Sequence, residues 1–94
     1  MAADLLARLK EVRDDGSIIE IVIWELADPL PPSVHRYKYR LYFGAGDVSR
    51  VRYDNERGKG DHRHVGDQEF AYAFRSVEQL LLDFQSDVER WEEP

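Results

Sequence analysis

Between Arg36 and Asp54 polar and apolar residues alternate with a period of two. In "VHRYKYRLYFG", Tyr37, Tyr39, Leu41 and Phe43 fall on one side and Arg36, Lys38, Arg40 and Tyr42 on the other. Successive side chains of a strand point to opposite faces, so this spacing predicts a strand with one apolar and one basic face. After the turn "GAGD" the pattern repeats in "VSRVRYDN", with Val51 and Tyr53 set against Arg50, Arg52 and Asp54. Upstream, "IIEIVIWEL" (18–26) is dense in β-branched and aromatic residues and reads as a central strand. The Asp-Gly of "DDGS" (14–17) supplies the positive φ that tight hairpins need. Leu5, Leu9 and Val12 in "LLARLKEV" would also fit a helix, but the hairpin turn favours a strand paired with 18–26. "DPLPPS" (28–33) carries three of the four prolines and reads as a loop.

Downstream, "ERGKGD" is a glycine-containing loop after which "HRHV" resumes the sheet, and "EFAYAF" is a short extended piece. In "SVEQLLLDFQSDVERW", Val77, Leu80, Leu81, Phe84, Val88 and Trp91 make one stripe at helical spacing. Ser76 is the expected N-cap, with Gln79 closing a reciprocal capping box. The stripe needs a sheet face to cover, and Tyr37/Tyr39/Leu41/Phe43 is the natural one. The pattern therefore predicts an α+β fold over a single domain, 1–94. An antiparallel sheet of four to five strands carries a long C-terminal helix packed on one face. One helix cannot cover both faces, so Ile18, Val22, Trp24 and Leu26 leave apolar area for a partner chain or a homo-oligomer.

Charge changes this picture. The chain carries −6 overall, which argues against a general nucleic-acid binder. The distribution is uneven: −4 over residues 1–34, +4 over 35–64 and −6 over 65–94, with all three histidines in the basic centre. On the predicted sheet, Arg36, Lys38, Arg40, Arg50 and Arg52 would share the uncovered face with Asp54. Such a row repels itself unless acids or an anionic ligand answer it. The absence of cysteine excludes disulfides, thiolate metal sites and a cysteine nucleophile. The start "MAADLLARLK" has no signal-peptide pattern and no run is long enough to cross a bilayer, so no membrane and a cytoplasmic setting are expected.

His62 and His64 are two apart, which puts both on one side of a strand. If that side is the basic face, two imidazoles lie near Asp54 and Arg52, with Arg52, Lys59 and Arg63 as the cations for phosphate. This is a set suited to acid–base cleavage of RNA: one imidazole takes the 2′-hydroxyl proton, the other protonates the leaving oxygen, and cations hold the phosphate. Competing readings are exposed turn histidines, a divalent-metal site from His62, His64 and Asp54 or Asp61, and a phosphate loop at "GKGD". The last lacks the spacing and the Lys-Ser/Thr pair of a nucleotide loop. His35 reads as surface decoration. No cofactor and no metal are called for.

Four segments, "DGSIIEIVIWEL", "YKYRLYFG", "VRYDNERGKGDHRH" and "FRSVEQLLLDFQSDVERW", together resemble the TumE family of bacterial toxin–antitoxin proteins. The resemblance runs from about Asp15 to Trp91. It implies the toxin half of a type II module, a cognate helix-turn-helix antitoxin as partner, and action on RNA or the ribosome. It also implies a site drawn from Arg52, Asp54, Asn55, Lys59, His62, Arg63 and His64. The rival function is a non-enzymatic module whose basic face binds nucleic acid or an acidic protein.

Overall fold

The computed structural model describes residues 3–92. Six strands follow one another as an antiparallel meander: β1 (Ala3–Val12), β2 (Ile18–Leu26), β3 (Tyr37–Ala45), β4 (Val48–Glu56), β5 (Gly60–Val65) and β6 (Gln68–Ala71), and a single helix follows, α1 (Val77–Arg90). The sheet has six strands rather than four to five, because both "HRHV" and the start of the extended piece pair into it. β6 ends at Ala71. The chain then crosses to the covered face, where Tyr72 and Phe74 pack on the core and the Tyr72 N–H donates to the Asp61 carbonyl at 3.0 Å.

The "DDGS" turn closes the first hairpin as its chemistry requires. Gly16 sits at φ +85°, and Asp15 accepts from the Ser17 amide at 2.9 Å and its hydroxyl at 2.6 Å. These bonds hold the Asp15 carboxyl below its ordinary value. β1 forms as a strand, and helical spacing loses to the pairing that the turn dictates.

Alternation sorts the sheet into two faces. Ile23, Tyr39, Leu41, Phe43, Val51 and Tyr53 are buried beneath Leu80 and Phe84 of α1. Burying each such side chain contributes about 1.5–3 kcal/mol. Ser76 caps the helix by accepting from the Gln79 amide at 3.0 Å. The expected capping box is only half made, because the Gln79 side chain donates instead to Asp83 at 2.8 Å.

One acid breaks the apolar stripe. Asp87, 6 % exposed, receives Arg63 Nε at 2.6 Å and Arg63 Nη2 at 3.0 Å, together with the Tyr53 hydroxyl. Burial pushes this carboxyl up, but the hydrogen bonds from Arg63 and Tyr53 and the charges of Arg63 and Arg90 outweigh it and hold it below its ordinary value. The Tyr53 phenol, desolvated and bonded to Asp87, is held protonated well above its usual range.

Asp87→Asn should therefore destabilise the protein by about 1–3 kcal/mol near neutral pH. A carboxyl lowered by folding lends stability above its unfolded value and loses it as pH falls through the folded one. The gap between the two proteins should narrow as pH drops below 3.8, the ordinary value. Denaturant titrations across that range check this, and a gap that widened in acid would contradict it.

Candidate functional site

The β4–β5 register decides which residues meet. Arg52 lies opposite His64 and Asp54 opposite His62, so these four share the face that α1 leaves open. Gly66 and Asp67 turn the chain so that Glu69 of β6 stands opposite His64. Arg52, Asp54, Glu56, Lys59, His62, His64 and Glu69 line a cleft of about 90 Å³.

Hydrogen bonds set the imidazole roles. Arg52 Nη2 donates to His64 Nε2 at 3.1 Å, which leaves the His64 proton on Nδ1, 3.7 Å from Glu69 Oε2. His62 Nε2 donates to the Lys59 carbonyl at 2.7 Å, and its Nδ1 stands 3.3 Å from Glu69 Oε1. The two ring centroids are 6.4 Å apart. Two occluded nitrogens, Arg52 Nε and His62 Nδ1, have no hydrogen-bond partner although each faces a carboxylate, Asp54 at 3.2 Å and Glu69 at 3.3 Å. Lys59 sits at the rim, 3.9 Å from Glu56.

The remaining sequence-derived positions divide. Arg40 is exposed on the open face, opposite Asp54 across β3–β4, and lies over the Tyr42 ring at 5.0 Å. Lys38 projects beside it and donates to the Asn55 carbonyl. Arg36 precedes β3 and pairs with Glu25 at 3.4 Å, away from the histidines. Arg50 is carried to the helix side by the register shift at Phe43/Gly44, and its guanidinium lies 5.2 Å from the buried Phe43 ring.

Asn55 and Arg63 lie on the covered face. Asn55 is fully buried; its Oδ1 accepts from the Tyr39 amide at 3.0 Å and its Nδ2 donates to the Tyr37 carbonyl at 2.7 Å. The β3–β4 ladder ends at Arg40/Asp54, and this side chain bridges the strands where backbone pairing stops. Arg63 is held by Asp87, opposite in face to His62 and His64 because it lies between them.

His35 is a half-buried ring, not surface decoration. It stacks on Phe74 at 3.8 Å, its Nε2 bonds Asp61 Oδ2 at 2.6 Å, and its Nδ1 accepts from the Tyr37 amide at 3.1 Å. Asp61 also accepts from Tyr39 at 2.6 Å and from Ser33, which ties the proline loop to β5 and takes Asp61 out of reach of the histidine pair. Glu69 went unnoticed in the sequence. The two-residue turn after Val65 and the alternation of "QEFA" were the signals that place it. Among the described residues no three His, Asp or Glu side chains are arranged to hold a metal ion.

A family model described as Toxin TumE matches residues 2–92, which span every strand and the helix. The chain belongs to the Toxin TumE family. Membership supports a toxin, and a toxin family implies an antitoxin partner in general. No curated protein and no solved structure matches the chain. No helix among the described residues is long and apolar enough to cross a membrane.

If Asn55 in this TumE-family chain is a bridge between strands, Asn55→Ala should leave a buried N–H and C=O unpaired. The expected loss is about 2–4 kcal/mol in chemical denaturation. Unchanged stability together with weakened ligand binding would return Asn55 to the site.

Proposed function

We propose that this protein is a toxin that cleaves RNA at the open-face cleft, with His62 and His64 transferring protons. The observation that carries the reading is the pair of occluded nitrogens without hydrogen bonds, Arg52 Nε and His62 Nδ1, in a cleft holding two imidazoles. Arg52 Nε is a donor at any pH and His62 Nδ1 becomes one when the ring is protonated, and donors without a partner suit an incoming anion.

A phosphate entering the cleft draws Arg52 toward itself and off His64 Nε2. The freed lone pair takes the ribose 2′-hydroxyl proton as the 2′-oxygen bonds to phosphorus. The bond from phosphorus to the 5′-oxygen breaks, and that oxygen receives the Nδ1 proton of a His62 that enters the reaction as imidazolium and leaves it neutral, its Nε2–H still on the Lys59 carbonyl. Arg52, with Lys59 at the rim, stabilises the negative charge that gathers on the phosphorane. Asp54 orients Arg52, and Glu69 faces both imidazoles. The products are a 2′,3′-cyclic phosphate and a free 5′-hydroxyl. In this reading Arg63 and Asn55 position β5 and β4 and touch no substrate. The antitoxin is proposed to carry a helix-turn-helix domain, and the pair to act in the cytoplasm on free or ribosome-bound RNA.

One observation favours a second reading, a non-enzymatic binding face. In the free protein Arg52 already occupies the lone pair that His64 would need as a base. That reading predicts salt-dependent RNA binding without cleavage products.

His62→Gln and His64→Gln should each lower the cleavage rate by about 10²–10⁴-fold while leaving folding unchanged. Incubation of purified protein with RNA, followed by end-group analysis for cyclic phosphate, checks the chemistry. Cleavage undiminished in both variants, or ending in other groups, would sink it.

A further inference from the structure

The register extends beyond the cleft. Across the open face, residues opposite one another form rows that run through five strand pairings. One row is Arg8, Val22, Arg40, Asp54, His62 and Ala71; the next is Lys10, Glu20, Tyr42, Arg52, His64 and Glu69. A shorter row places Leu5, Trp24 and Lys38 side by side. The face thus carries Arg8, Lys10, Lys38, Arg40 and Arg52 against Glu20, Asp54, Glu56 and Glu69, an excess of positive charge on a chain whose net charge is −6. Arg8, Lys10 and Arg40 are exposed, whereas the acids nearest the histidines are tied to them or to Arg52.

Two aromatics lie among these cations. Tyr42 lies low along its strand over Gly44: a Cβ added at Gly44 would fall 2.2 Å from the Tyr42 hydroxyl. A ring lying along the sheet turns a π-face outward, and Arg40 already stands over it at 5.0 Å. Trp24 is half-exposed two strands from Asp54.

We infer that the open face of β1–β3 is a track for single-stranded RNA that leads into the His62–His64 cleft, with Trp24 and Tyr42 stacking bases and Arg8, Lys10 and Arg40 holding phosphates. The inference rests on the cleavage reading and names its substrate class. Strands lie about 4.8 Å apart, so β1 is about 19 Å from β5. A single strand crossing that distance meets cations and aromatic faces in turn. Only unpaired bases can stack on a side chain in this way; a duplex keeps its bases stacked on each other and offers its backbone instead. The flat sheet face also has nothing to insert into the deep, narrow major groove of an RNA helix.

The test uses full-length protein carrying His62→Gln and His64→Gln, so that RNA survives the titration, and Trp91→Phe, so that Trp24 is the only tryptophan. A single-stranded RNA of about 12 nucleotides should quench Trp24 fluorescence and bind at least about tenfold more tightly than a duplex of the same sequence. Arg8→Ala with Lys10→Ala should lessen the slope of log K against log salt by about 1.4, the loss of two phosphate contacts on a single strand. Both side chains are exposed, so this pair of changes leaves the core intact. Quenching and slope as expected, with no cleavage by the unmodified protein, would keep the track and remove the chemistry. Cleavage by the unmodified protein, with duplex bound as tightly or the slope unaltered by Arg8→Ala/Lys10→Ala, would remove the track and keep the chemistry. No binding of either RNA would overturn the track outright.

Discussion

The bidentate pairing of Arg63 with Asp87 holds the molecule's most consequential register. A one-residue slip of β5 against β4 would turn Arg63 outward and bring His62 and His64 under the helix. Arg63 prevents this by reaching α1 from the covered face, its Nε 2.6 Å from an Asp87 oxygen that also receives the Tyr53 hydroxyl. Asp61, two residues earlier on the same face, is fixed in parallel by His35, Tyr39 and Ser33. Two anchored residues therefore flank His62, and one of them also flanks His64. The imidazoles sit on the open face because their neighbours cannot leave the covered one.

This division explains what the sequence made legible and what it did not. Strict alternation in 37–43 and 50–54 reveals which face each side chain takes, because period two is a direct property of the strand. It places Arg40, Arg52 and Asp54 with the histidines. Alternation fails at Arg50, which lies beside a register shift. It holds at Asn55, two residues past Tyr53 on the covered face, but does not reveal that a side-chain amide takes over there where backbone pairing ends. Neither event leaves a local signature. Arg63 is a different case: its charge suggests phosphate, while its position between two same-face residues assigns it to the other side, where Asp87 holds it. Position outweighed chemistry there, and Asp87, hidden inside an apolar helical stripe, supplied the partner that charge alone could not predict. The sixth strand was obscured because "EFAYAF" mixes two roles, a short pairing segment and a crossing to the core.

The same sorting accounts for an acidic chain with a cationic face. Acids of the C-terminal third gather on and around α1, where Asp83 meets Tyr72 and Gln79 and Asp87 meets Arg63. Glu69 is the exception, and its place between both imidazoles makes it the one late acid that bears on the cleft. Net charge therefore says little about this protein's ligands; the charge of each face says more.

Gly44 ties the fold to the open face by a single absence. Its missing Cβ leaves room for both the Tyr42 hydroxyl and the Val48 carbonyl, which would lie 2.2 Å and 2.5 Å from it. The close carbonyl belongs to the shifted end of the β3–β4 ladder, the shift that sends Arg50 to the helix side. The close hydroxyl is the end of a ring lying along the other face. Any side chain at this position must displace both the Val48 carbonyl and the end of the Tyr42 ring. The local geometry that removes one arginine from the basic face thus lays an aromatic surface on it in exchange, beside Arg40 and Arg52.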